Sequence, residues 1–207
     1  MITACLDMEG VLFPEIWINV AKKTGVDELR LTTRDISDYD ELMQQRIKIL
    51  RKEGITLSRI QEVIATLNPL NGVPDFLDWL RRRFQLIILS DTFYQFAMPL
   101  MEQIGFPAIF CHDLHMDDKG TITGYTLRQP DAKRKVVQAL RNNLKMKTIA
   151  MGDSYNDTTM LAEAHHGILF CPPQNVIDEF PVFPVAWNYE DAKLHFEDAA
   201  EAINEGS

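Results

Sequence analysis

Five short apolar runs recur along the chain with helical patterns between them, and this alternation limits the fold more than any other feature. The runs are "ITACL" (2–6), "QLIILS" (85–90), "PAIFC" (107–111), "KTIAM" (147–151) and "GILFC" (167–171). Nearly continuous apolar character is what a strand covered on both faces requires. Between and after them lie "GVPDFLDWLRRRF" (72–84), "FYQFAMPLMEQIG" (93–105), "DAKRKVVQALRNNL" (131–144), "DTTMLAEAHH" (157–166) and "YEDAKLHFEDAAEAINE" (189–205), all with helical spacing. The alternation predicts an α/β fold with a doubly wound, Rossmann-like parallel sheet. A buried helix segment can imitate any one run, but not five in sequence. A chain of 207 residues, 46% of them hydrophobic, has room for one core and a small insert.

Two places break the alternation. After the first run come "EIWINVAKKTG" (15–25), "DYDELMQQRIKILRKEG" (38–54) and "TLSRIQEVIATL" (56–67), helices with Gly25 and Gly54 at their ends and Thr56 as an N-cap. Residues 14–71 are therefore expected to form a small helical cap, with residues 1–13 and 72–207 as the α/β core. The second break, "LHMDDKGTITGYTL" (114–127), alternates around a turn at "DDKG" and predicts a β-hairpin.

The first strand leaves the core as "ACLDMEGVLFPE" (4–15), with Asp7 and Glu9 two apart. Alternate strand residues share a face, and two carboxylates at ~4 Å repel by about 4 kcal/mol at an effective dielectric near 20. Ligands of open α/β sheets bind at the C-terminal strand ends. There the second run supplies Ser90, Asp91 and Thr92, and "KTIAM" leads into "GDSYND" with Asp153, Ser154, Asn156 and Asp157. Taken singly, these are ordinary helix-capping residues. Capping does not account for Asp7 and Glu9 at an apolar strand exit. A divalent cation does: Mg²⁺ takes carboxylate oxygens and bridges to phosphate, and Asp7 and Asp153 on neighbouring strands are placed to hold one. Lys133 opens a helix after the hairpin, either as a solvated cation or as a fixed charge facing a phosphoryl group and Asp7.

The net charge of −9 does not favour nucleic acid or an anionic membrane as partner. No run of 18 apolar residues offers a membrane span, and "MITACLDMEG" lacks the features of a signal peptide. Cys5, Cys111 and Cys171 have no metal-type spacing and read as buried thiols of a cytoplasmic protein. Trp17, Trp79 and Trp187 read as core. A homodimer is compatible with the sequence, which offers no argument for one.

"DMEGV", Ser90, Lys133 and "GDSYND" resemble, in that order, the four motifs of the haloacid dehalogenase superfamily. The continuation "NDTTML" is the most specific part. The helical insert and the hairpin resemble the phosphoserine phosphatase branch. "LDMEGVLFPEIW", "TTRDISDYDELMQQR" and "LSDTFY" are most similar to a subgroup described as phosphoserine phosphatases that also pass the phosphoryl group to homoserine. The resemblance implies a Mg²⁺-dependent enzyme acting on L-phosphoserine, with L-homoserine as a second acceptor. Asp7 would be the nucleophile, Glu9 the general acid and then base, and Asp7, a position-9 oxygen and Asp153 the metal ligands. Ser90, with backbone N–H groups around Asp91, would hold the phosphoryl oxygens. Lys133 would supply positive charge, Asp157 would orient Lys133 or a metal-bound water, and Asn156 would lie near the phosphate. Glu15 is placed to receive the substrate ammonium and Arg46 its carboxylate, although Arg46 also fits a solvated helix face. The commoner branch carries Asp followed by Ser-Thr where this chain has Glu9, Gly10 and Val11. The rivals are a catalytically dead binding module, which would need a missing motif where none is missing, a phosphatase for nucleotides or sugars, a non-enzymatic phospho-acceptor switch of the receiver type, and a dehalogenase. The last needs neither Glu9 nor Asp153, and the receiver has neither the insert nor the late acids.

Overall fold

A computed structural model describes residues 1–32, 35–36 and 38–206; Thr33, Arg34 and Ser37 of the "TTRDISDYDELMQQR" stretch lie outside the described residues. Seven strands form one sheet: β1 Ile2–Leu6, β2 Gln85–Phe93, β3 Ala108–Met116, β4 Ile122–Thr126, β5 Lys147–Gly152, β6 His166–Phe170 and β7 Val185–Ala186. Their order is β4-β3-β2-β1-β5-β6-β7, and every pairing is parallel except β3 with β4. The expected doubly wound sheet is thus present, with β1 at its centre.

The apolar runs become strands because they are covered twice. Along β1, Ala4 and Leu6 join one core cluster while Cys5 joins another. β5 repeats this with Ile149 and Met151 against Ala150, and β6 with Ile168 and Phe170 against Leu169. Period-2 side-chain direction sends successive residues to opposite helical layers. One layer holds α4 Val73–Arg81, α5 Tyr94–Gln103 and α9 Tyr189–Glu205; the other holds α6 Ala132–Asn142, α7 Thr158–Glu163 and α8 Gln174–Glu179. No helix of the described residues is long and apolar enough to cross a membrane.

Between β1 and α4 lie α1 Ile16–Thr24, α2 Tyr39–Lys52 and α3 Leu57–Ile64. Thr56 caps α3 as expected, accepting from the Arg59 N–H at 3.4 Å, and Asp38 caps α2 by accepting from Glu41 N–H at 3.0 Å. β3 runs past the parallel sheet and pairs with β4, so the hairpin rises beside the insert. It is joined to it by Leu57 N–H to Gly120 O at 2.9 Å, by Arg51 Nη2 to Thr123 O at 3.0 Å, and by a Tyr125–Asp40 hydrogen bond.

Two expectations need correction. The fifth run ends at Phe170; Cys171 takes a left-handed φ of 45° before Pro172 and Pro173 and is exposed, so only Cys5 and Cys111 are buried thiols. Trp187 follows the two-residue β7 at the edge of the sheet and is 58% exposed rather than core.

Candidate active site

β2, β1 and β5 are adjacent and parallel, so their C-terminal ends open on one edge of the sheet. Asp7 continues the β1–β5 ladder by one residue, donating its N–H to Met151 O at 2.9 Å. That bond fixes the backbone from which its carboxylate projects. Gly10 turns the chain with φ +77°, and a Cβ there would collide with the Asp153 carboxylate. The close approach and the positive φ together require glycine. Asp157 is fully buried; its Oδ2 accepts from the N–H groups of Asp153 at 3.0 Å and Ser154 at 3.1 Å, which closes the turn after β5.

Lys133 enters from the first turn of α6 and is itself buried. Its Nζ lies 2.8 Å from Asp157 Oδ1, 2.9 Å from Asp7 Oδ1 and 3.4 Å from Asp91 Oδ2. Burial alone would lower the lysine pKa, but Asp157, Asp7 and Asp91 reverse this and hold it well above its ordinary value. The bland reading of Lys133 as a solvated surface cation is thereby removed. Asp91 balances oppositely: burial pushes it up, while Lys133, His112 and Asn156 keep it well below the usual carboxylate range. Asn156 Nδ2 donates to Asp91 Oδ2 at 2.9 Å. Ser90 is buried, with its Oγ accepting from Thr92 N–H at 3.3 Å.

One lysine does not neutralise the acids gathered here. Carboxylate oxygens of Asp7, Asp153 and Asp157 come within 4.8 Å of one another. Burial, and then the charge of Asp157, raises Asp153 to about 7 and Asp7 well above its usual range despite Lys133. A hard divalent cation fits such a donor set, since three converging carboxylates offer only oxygen and excess negative charge. The Glu9 carboxylate lies outside this cluster. Its Oε2 accepts from the Ile16 N–H, the first amide of α1, at 2.7 Å. Burial and the nearby Glu15 raise Glu9 to about 8, against the pull of the Ile16 amide, Arg46 and Lys133.

A cavity of about 380 Å³ lies over the strand ends, lined by every residue singled out from the sequence except Asp157, which is fully buried and accepts from Lys133 Nζ. Glu15 and Arg46 therefore share one chamber with Asp7 and Ser90, and Arg46 faces inward rather than to solvent. Two further lining residues carried no sequence signal for such a place. Trp17 stands where an amphipathic helix would put a core residue. Tyr39, at the start of α2, donates its hydroxyl hydrogen to Asp91 O at 3.0 Å. His112 was also missed as a neighbour: its Nε2 is 3.7 Å from Asp91 Oδ1, and only the β2–β3 register brings the two side by side.

The haloacid dehalogenase-like hydrolase model matches residues 3–165. The phosphoserine phosphatase ThrH of Pseudomonas aeruginosa is 61% identical over 93% of this chain and 94% of its own. A phosphoserine phosphatase of Pseudomonas syringae pv. tomato is 57% identical over 93% of this chain and 81% of its own. Among solved structures, a phosphoserine phosphatase from T. onnurineus superposes with a TM-score of 0.70 at 22% identity, over 92% of this chain and 91% of that one. The strand order, the lysine held by acids from the ends of three strands and these likenesses agree. The chain belongs to the haloacid dehalogenase-like hydrolases, on their phosphoserine phosphatase branch.

Proposed function

We propose that this protein hydrolyses L-phosphoserine through an aspartyl-phosphate on Asp7 and also passes the phosphoryl group to L-homoserine, working in the cytoplasm. The observation that carries this reading is Lys133 bridging Asp7 and Asp157 in a buried cavity that also holds Arg46 and Glu15. Lys133 and Asp7 serve a phosphoryl group, with Asp157 holding the lysine, and Arg46 and Glu15 serve an amino-acid zwitterion. The relatives named phosphoserine phosphatase support it.

Asp7, its backbone fixed and its carboxylate beside Lys133, attacks phosphorus as the bond to the serine oxygen breaks. Glu9, raised to about 8 and so protonated at neutral pH, donates its proton to that oxygen and L-serine leaves. The resulting Glu9 carboxylate removes a proton from water or from the homoserine hydroxyl, whose oxygen attacks phosphorus and frees Asp7. The products are inorganic phosphate or phosphohomoserine. Lys133 and Ser90 face the phosphoryl oxygens and oppose the charge that spreads over them in the transition state. Asp157 holds Lys133 in place. Asp7, Asp153 and an oxygen of residue 9 would hold Mg²⁺, with Asp157 adjoining, and the ion would supply charge neutralisation to the transferred group. Residues 14–71 act as a cap that excludes water from this chamber.

Phosphorus NMR of the protein with Mg²⁺ and L-phosphoserine, with and without L-homoserine, tests the reading. Inorganic phosphate from phosphoserine, with a phosphohomoserine signal when the acceptor is added, is expected. Intact phosphoserine beside turnover of other phosphate esters would overturn the substrate assignment.

A further inference from the structure

Arg46 is a buried cation with no ion pair among the described residues. It is only 6% exposed, and among the described residues no carboxylate lies within ion-pair distance of it. Nη2 donates to Leu31 O at 2.7 Å and Nη1 reaches the Met43 sulfur at 3.7 Å, while Nε, though buried, has no partner among the described residues. Buried guanidinium groups ordinarily find paired oxygens, because an unmet charged donor is costly. What compensates Arg46 is the face of Trp17, with the guanidinium carbon 4.4 Å from the ring centroid. An aromatic face is the contact that holds a cation without consuming its N–H donors.

Trp17 is held in turn from two sides. It is 9% exposed in the first turn of α1, one residue after the amide that binds Glu9, and its ring meets Phe96 edge-on at 5.5 Å between centroids. The indole is therefore a rigid platform at the cavity wall, fixed to α5 on one side and presenting its face to Arg46 on the other.

We propose that Trp17 is a positioning residue for substrate selection: its ring holds the Arg46 guanidinium in the cavity with an N–H donor left open for the carboxylate of an amino-acid phosphate. The inference rests on the phosphoserine reading and goes beyond it by naming the residue that makes the site discriminate. A phosphate ester with the same ammonium end but no carboxylate, O-phosphoethanolamine, gains nothing from this arrangement.

The test is steady-state kinetics of the Mg²⁺-loaded protein on L-phosphoserine and O-phosphoethanolamine for the unmutated chain, Trp17→Leu and Trp17→Phe, each also in an Arg46→Ala background. Trp17→Leu is expected to raise the KM for phosphoserine about ten-fold, the scale of a desolvated cation–π contact, with kcat changed far less than KM and with a much smaller rise in the KM for phosphoethanolamine. Trp17→Phe, which keeps an aromatic face and the packing on Phe96, should recover most of that loss. In the Arg46→Ala background Trp17→Leu should cost nothing more. Equal losses on both esters, no recovery by phenylalanine, or additive losses with Arg46→Ala would overturn the proposal and leave Trp17 as packing alone. An unmutated protein that does not prefer phosphoserine to phosphoethanolamine would overturn the substrate reading itself, an outcome visible before any variant is made.

Discussion

Lys133 is the residue on which the most charge depends. Three acids, Asp7, Asp157 and Asp91, lie within 3.4 Å of its ammonium, and two of them are buried with it. Removing one member of a buried ion pair costs about 3–5 kcal/mol because the remaining charge is left unmet. Lys133→Met is therefore expected to lose about that much stability in urea unfolding without metal, and to recover part of it when Mg²⁺ is added. A melt unchanged by the substitution would mean that the acids are already protonated. Glu9 is the second informative residue. Its carboxylate reaches the Ile16 N–H because it has one methylene more than aspartate. Glu9→Asp should lose that bond, loosen the first turn of α1 and admit water. The ratio of phosphohomoserine to phosphate is expected to fall about five-fold, the equivalent of one hydrogen bond; an unchanged ratio would separate the methylene from acceptor choice. The sequence made the carboxylate pair visible, because acids at an apolar strand exit need an explanation. It did not show that Glu9 turns toward α1, since that depends on where the helix begins.

At the scale of elements, the strands and helices were legible wherever a hydrophobic pattern repeats at least twice, and illegible where a segment is too short to repeat. β7 has two residues and α8 six, and neither was expected. β3 was read as two separate pieces, a strand and a hairpin arm, because its pairing changes from parallel to antiparallel partway along while its residues give no sign of it. The apolar pattern also carried the fifth strand one residue too far: Cys171 is as apolar as its neighbours and its N–H still donates to Ala186 O at 2.9 Å, but its left-handed backbone ends the strand at Phe170. Close contacts between elements are equally silent in sequence. Gly167 in β6 sits so near α7 that a Cβ would lie 2.7 Å from both the Leu161 side chain and its carbonyl oxygen. Gly167→Ala, far from the cavity, is expected to lower stability by about 1–3 kcal/mol through forced separation of α7 from the sheet, with KM for phosphoserine unchanged. Denaturant unfolding beside kinetics checks both halves of this expectation.

Over the whole molecule, proton and metal compete for one cluster. Burial and Asp157 raise Asp153 from 3.8 to about 7, so its protonated form favours the folded chain. That contribution is complete below about pH 4 and is lost as pH rises through 7. Metal-free protein should accordingly become less stable across this range, and Mg²⁺ should raise the melting temperature more at pH 8 than at pH 5. Thermal melts at the two pH values decide it, and an equal rise at both would place the ion elsewhere. The long-range geometry that makes this cluster was partly foreseen, because parallel strands must discharge their ends together. The bond between Glu9 and the first amide of α1 has a larger consequence. The insert cannot lift at α1 without withdrawing the hydrogen bond that orients Glu9. On the proposed roles, opening the chamber and arming the acid would be mutually exclusive, an interlock in which the door's hinge is also the safety catch, so that a phosphorylated Asp7 exposed to solvent would face water without its base in position.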